Sequence, residues 1–219
     1  MRSDTGRAQG HEQKESSEAA ILRMICAAKL LPEKIINYNE ETMRYHNITH
    51  DDMLNGDGLR VVLWVAGCNH CCKECQNPLT WDANGGLEFD EAAKEEIFAQ
   101  LDKDYISGIT FSGGDPLHPA NRVGVRNLMA EIREKYPDKT IWLYTGDVWE
   151  HILHYPAMQY VNVLVDGEFE VDKKDPKLLW KGSANQRVID VRKSLEQTDP
   201  TQPILWCEDY KPIRHHGEN

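Results

Sequence analysis

From residue 60 onward, short runs of β-branched and aromatic residues alternate with amphipathic stretches of helical length, and few folds accept that alternation. The runs that predict strands are 60–66, 108–111, 140–144, 160–165 and, last, 187–191. Between them, Asp90 is placed to cap a helix that buries Ile97, Phe98 and Leu101. Asn121 precedes a second helix that buries Val125, Leu128, Met129 and Ile132, and a shorter one covers 148–153. Strand, helix, strand in repetition calls for right-handed crossovers and a mainly parallel sheet, either open or curled into part of a barrel. The expected fold class is therefore α/β.

In parallel α/β folds, ligands bind at the carboxyl ends of the strands. Here the first four predicted strands each end on a distinctive loop: Gly67 with a run of cysteines, Ser112-Gly113-Gly114-Asp115-Pro116, Thr145-Gly146-Asp147, and Asp166-Gly167. Four such loops on one rim make one site.

The 35–192 stretch forms the expected core. Residues 1–34 read as a polar extension whose apolar positions between Ala20 and Leu31 repeat near helical spacing until Pro32 stops them. After Val191 the pattern fades into a Gln/Thr/Pro-rich tail, 193–219. A net charge of -11 is the wrong sign for a surface that neutralises phosphates, so no nucleic-acid partner is expected. No run of 18 apolar residues occurs and the N-terminus lacks the apolar core of a secretory signal, so the expected location is cytoplasmic, without membrane contact.

Four of the six cysteines, Cys68, Cys71, Cys72 and Cys75, fall within eight residues, too close for a disulfide framework and suited to metal. As two C-x2-C pairs they suggest zinc, but structural zinc usually draws its ligand pairs from separate segments. The other parses are C-x3-C-x2-C (68, 72, 75) and C-x2-C-x3-C (68, 71, 75), and spacing alone does not choose between them. Either leaves one corner of a four-iron cluster without a thiolate, open to a small molecule, unless the remote Cys26 or Cys207 serves.

Gly113-Gly114 lets the backbone come close to a ligand, and the chain has no phosphate loop of the G-x4-G-K-[ST] kind. Asp166 before Gly167 reads equally as a ligand group and as a turn former. Residues 181–187 (KGSANQR) offer several donors suited to a carboxylate or a ribose, or a polar loop before the last strand.

Taken together, C-x3-C-x2-C after a strand, the Gly-Gly-Asp-Pro loop, Asn162-Val-Leu-Val-Asp-Gly167 and Gly182-Ser-Ala-Asn-Gln186 resemble the radical S-adenosylmethionine enzymes. Within them the pattern is similar to the activating proteins of anaerobic ribonucleoside-triphosphate reductase. The resemblance implies a partial, open β/α barrel and a [4Fe-4S] cluster on Cys68, Cys72 and Cys75 that cleaves S-adenosylmethionine. It also implies that Gly113, Gly114 and Asp115 hold the methionine amino group, and that Glu74 and Gln76 lie against the nucleoside. The implied partners are the reductase's catalytic subunit, which receives a glycyl radical, and a low-potential electron donor such as flavodoxin or ferredoxin. Gln76, where relatives often carry an aromatic, and Lys181, where they commonly carry Arg, depart from the pattern. The rival expectations are a radical S-adenosylmethionine enzyme for a small molecule, of the carboxy-deazaguanine synthase kind, and a zinc-binding adaptor without catalysis.

Overall fold

The computed structural model describes residues 43–206. The apolar repeat at 20–31, Cys26, Cys207 and Arg214-His215-His216 lie outside the described residues. Among the described residues, seven strands, β1 (Arg44–Asp52), β2 (Leu59–Val65), β3 (Leu87–Glu88), β4 (Ile106–Gly113), β5 (Thr140–Tyr144), β6 (Val163–Asp166) and β7 (Arg187–Asp190), form one sheet in the order β3-β1-β2-β4-β5-β6-β7. The four central strands β2, β4, β5 and β6 are mutually parallel, and β1 and β7 flank them antiparallel. The sheet is not closed, so the protein is a mixed α/β fold with two sheet ends.

Side chains alternate across this sheet as the pleat demands. Val61, Leu63, Val65, Ile109, Phe111, Ile141, Leu143, Leu164 and Ile189 face one way into the main core, which helices α1 (Glu91–Leu101) and α2 (Arg122–Lys135) cover. Their contributions are Ala93, Ile97 and Leu101 from α1 and Val125, Leu128, Met129 and Ile132 from α2. Trp142, Val163 and Val165 face the other way into a smaller cluster with Tyr144, Trp180, Val188 and Trp206. At the base of that face Arg60 is fully buried, with no carboxylate of the described residues against its guanidinium. Its donors go to Thr110 Oγ1, Thr140 Oγ1 and the carbonyls of Asp57, Ile109 and Thr140, and the group lies 5.4 Å from the Trp142 ring centre. Burial pushes its pKa down to about 10.

The structure revises several local expectations. Asp90 caps α1 by accepting from Ala93 N, but Asn121 does not cap α2; its Nδ2 donates instead to the Ala66 and Asp115 carbonyls. The strand expected at 160–165 begins at Val163, because 158–160 turn as a 3-10 helix and the Asn162 side chain accepts from Ile141 N and Arg133. The short helix at 148–153 is α3 (Trp149–Ile152). Beyond Val191, expected to be loosely packed, lies α4 (Val191–Glu196), and residues 204–206 then add to the β7 edge: Asp190 N donates to Ile204 O and Trp206 N to Val188 O.

The parallel register brings the carboxyl ends of β2, β4, β5 and β6 level, with Val65 opposite Gly113, Phe111 opposite Leu143 and Tyr144 opposite Val165. All four distinctive loops therefore open on one rim.

Candidate functional site

The loop after β2 begins pinned and then runs free of backbone pairing. Gly67 N donates to Thr80 O and Cys68 N to Trp81 O, after which no backbone bond ties residues 69–74 to other described segments. Cys71 and Glu74 adopt left-handed φ values of 49° and 56°, which wind the loop tightly. Cys68, Cys72 and Cys75 are half-buried and Cys71 is exposed. The Cys75 sulfur accepts from Asn77 N at 3.4 Å. Main-chain groups at His70 and Cys71 favour the Cys68 thiolate, and that of Phe169, in the loop after β6, favours the Cys72 thiolate. Burial pushes the Cys68 thiol up to about 11 and raises Cys72 as well, so binding a metal there must expel protons.

Gly113 and Gly114 bring the β4 loop against this one. A side chain at Gly114 would meet Gly67 O at 2.4 Å and Thr80 O at 2.8 Å, and Gly113 sits at φ 105° against the backbone of Trp64. Asp115 N donates to Gly67 O, and the nearly inaccessible Asp115 carboxylate accepts three donors. Leu117 N meets Oδ1 at 2.8 Å, Thr145 Oγ1 meets the two oxygens at 3.0 and 3.1 Å, and His70 Nε2 meets Oδ2 at 2.7 Å. The other ring nitrogen of His70 bonds Glu168 at 3.0 Å. Asp115 first, and Glu168 with it, hold the imidazole up to about 9 against burial, so both ring nitrogens carry protons near neutral pH.

Beside His70 a cleft of about 580 Å³ runs along the ends of β5, β6 and β7. Its walls carry Asp147, Glu150, Asp166, Glu168 and Glu170 against His70, His151 and Arg187, and burial followed by repulsion from Asp115 raises the Asp147 pKa. Arg187 closes one end, gripping Glu150 at 2.8 Å through both oxygens and also bonding Asp166.

Sequence reasoning reached part of this arrangement. The cysteines and Asp115 come together through His70, and Gln76 lies beside Gly182, its Nε2 3.4 Å from where a Cβ would stand. Glu74 is exposed and does not line the cleft, and neither does Gln76. Asp166 is a buried anchor that accepts from Trp149 N and Arg187. Within residues 181–187, Lys181 Nζ reaches Gln186 O, the Gly182 amide reaches Gln186 Oε1 and Gln186 Nε2 reaches Gly167 O, while Asn185 and Arg187 line the cleft. His70, Thr145 and Glu168 were not singled out from sequence. The signal available for His70 was a histidine inside the cysteine run.

Comparison with known proteins gives this rim a family. The pattern of a 4Fe-4S single cluster domain matches residues 54–189, more than half of the chain. The anaerobic ribonucleoside-triphosphate reductase-activating protein of Enterobacteria phage T4 is 43% identical over 146 residues, covering 67% of this chain and 93% of that protein. The protein of the same name from Escherichia coli K12 is 42% identical over 154 residues, covering 68% of this chain and all of that one. That from Pasteurella multocida is 39% identical over 150 residues, 66% of this chain and 95% of its own.

The chain belongs to the anaerobic ribonucleoside-triphosphate reductase-activating protein family.

As a member of that activating-protein family it has a 4Fe-4S domain, and its described residues fit such a group on two counts. Cys68, Cys72 and Cys75 lie half-buried in one loop at this rim, and Asn77 N donates to the Cys75 sulfur, the kind of hydrogen bonding that tunes iron-sulfur potentials. The buried indole N–H of Trp81, the residue whose carbonyl pins Cys68, has no hydrogen-bond partner among the described residues. No helix in the described residues is long and apolar enough to cross a membrane.

Proposed function

We propose that this chain activates an anaerobic ribonucleoside-triphosphate reductase by placing a glycyl radical on it, with S-adenosylmethionine as co-substrate. The observation that carries the reading is that three half-buried cysteines of one loop open on the same rim as the Gly-Gly-Asp loop, in a chain of this family. We assign Cys68, Cys72 and Cys75 as the cluster ligands; Cys71, exposed between them, is left out. When bound, a [4Fe-4S] group with one iron free of protein thiolate supplies the electron that splits S-adenosylmethionine into methionine and a 5'-deoxyadenosyl radical.

The chain's own residues do the rest by position. Asp115, with the Gly113 and Gly114 backbone, takes the methionine ammonium, and Gln76 and Glu74 lie toward the nucleoside. The acidic walls of the cleft suit a ligand that carries both an ammonium and a sulfonium. The sheet is read as a partial, open barrel of the radical S-adenosylmethionine type. Its unclosed side leaves room for a glycine loop of the partner, which a closed pocket for a small substrate would not. Electrons come from a low-potential donor of the flavodoxin or ferredoxin kind, since clusters span about -700 to +450 mV and this reduction needs the low end.

The test is anaerobic reconstitution of the chain with iron, sulfide and S-adenosylmethionine, with and without the reductase, followed by paramagnetic resonance. The expected result is a glycyl doublet on the reductase whose form changes when the glycine carries deuterium at its α-carbon. If S-adenosylmethionine is cleaved and the reductase gains no radical, the substrate is a small molecule instead.

A further inference from the structure

His70 stands where two requirements of the site meet. The first concerns the cysteine loop. With no backbone bond tying residues 69–74 to other described segments, the loop hangs on a few side-chain and sulfur contacts. Asn69 meets His118 at 3.2 Å at the surface, and the Phe169 main chain favours the Cys72 thiolate, a weak acceptor. The shortest tie is His70 to Asp115 at 2.7 Å, backed by its bond to Glu168 at 3.0 Å. Glycine at 146 makes room for the ring, since a Cβ there would come within 2.5 Å of it.

The second concerns access to Asp115. Its other donors, Leu117 N and Thr145 Oγ1, belong to the buried scaffold. Asp115 does not line the cleft; His70, which covers its Oδ2, does. A ligand entering from the cleft therefore meets the imidazole before it meets the carboxylate.

We propose that His70 is a positioning residue with two states: without ligand it tethers the cysteine loop to Asp115, and a ligand ammonium in the cleft takes its place on Asp115. The exchange swaps one N–H donor on Oδ2 for another, so the buried carboxylate is never left short of a partner. His70 keeps its bond to Glu168, and the cysteine loop is thereby released from the β4 loop but not from the β6 loop. This inference rests on the reading of Asp115 as the ammonium acceptor.

Two measurements on the full chain test it, with His70→Ala and His70→Gln. In the cluster-free chain without ligand, amide exchange in residues 69–74 should be about tenfold faster in His70→Ala, the loss of one strong hydrogen bond, with the sheet amides unchanged. His70→Gln retains a donor for Asp115 and should restore most of the protection. In the cluster-loaded chain, S-adenosylmethionine should bind His70→Ala about threefold to tenfold more tightly per loaded site, because the competing donor is gone. A purely structural histidine would weaken binding instead. Unchanged exchange in the loop overturns the tether, and weaker binding overturns the exchange of partners. Failure of the wild type to bind S-adenosylmethionine overturns the exchange together with the proposed function, while the loop measurement, made without cluster or ligand, stands apart from that outcome. If His70→Ala does not fold, His70→Ser, which lacks the imidazole donor, serves for both measurements with the same directions expected, and unchanged exchange or weaker binding there overturns the proposal in the same way.

Discussion

Residues 59–65 and residues 67–77 are neighbours in the chain, yet the first are bonded through their backbone to a strand on either side while the second hang mainly on side chains. Strand β2 pairs with β1 and β4, and Val61, Leu63 and Val65 are fully buried. The loop that follows is partly exposed, with Gly67, Cys71 and Glu74 in left-handed conformation and its contacts made mainly by Asn69, His70 and the sulfurs. The strand thus draws its stability from burial and ladder bonds, which tolerate little change in volume. The loop draws its shape from a few polar contacts, which can be exchanged for others when a metal or ligand arrives. Stability and chemistry are kept in adjacent segments with separate supports.

The largest effect that would break this separation comes from the loop. Cys72→Ala is expected to abolish iron and sulfide incorporation and S-adenosylmethionine cleavage, with the melting temperature of the metal-free chain nearly unchanged; Cys71→Ala should keep all three. Loss of the cluster in Cys71→Ala with retention in Cys72→Ala would exchange the two assignments. From the strand side, Leu63→Ala is expected to lower stability by about 2–5 kcal/mol, the range for a large-to-small change in a packed core. Denaturant titration checks it, and cleavage activity per folded molecule should stay near wild type.

What could be read from residues alone divides along the same line. The parallel strands were legible because burial on both faces writes continuous apolar runs, as in Arg60-Val-Val-Leu-Trp-Val-Ala66 and Thr140-Ile-Trp-Leu-Tyr144. Strand β1, Arg44-Tyr-His-Asn-Ile-Thr-His-Asp-Asp52, was not, because among its residues only Ile48 is buried and its polar side chains mask the pleat. The cysteine spacing was visible, but its two cluster parses differ by a single residue, and no pattern in the chain distinguishes half-buried Cys72 from exposed Cys71. Asn121 was read only as the residue before a helix; its carboxamide joins Ala66 to Asp115, a partnership with no local signature. Asp115 was found through its glycines, whereas His70 and Thr145, its donors from 45 and 30 residues away, were not.

A smaller effect sharpens the comparison at Asp115. Asp115→Asn keeps one acceptor for Leu117 N and Thr145 while removing the charge, and should weaken S-adenosylmethionine binding about tenfold with cluster content preserved. Titration of the cluster's resonance signal with ligand measures it, and an unchanged dissociation constant would make the loop a turn and nothing more. The smallest expected effect lies at the far end of the cleft. Hydrogen bonds from Arg187 hold Glu150 down to about 2, below its usual 4.5. A depressed folded pKa gives stability that is present above about 4.5 and lost as pH falls toward 2. Because Glu150 is largely exposed, screening keeps the gain modest. Melting temperatures across that window should fall slightly more steeply for wild type than for Glu150→Gln, and equal slopes would show that the ion pair contributes nothing.

Arg60 gives the order of folding a constraint. Its acceptors lie on two other strands, β4 and β5, and at Asp57 just before its own, and those at Thr110 and Thr140 are 50 and 80 residues further along the chain. A guanidinium cannot leave water until its acceptors are assembled, because a charge buried without them is costly. Desolvation of this side chain must therefore wait until β2, β4 and β5 have all come into register, which makes their joining late and cooperative. A chain in which β5 paired out of register would leave this guanidinium without its Thr140 acceptors, so the buried charge penalises that register specifically.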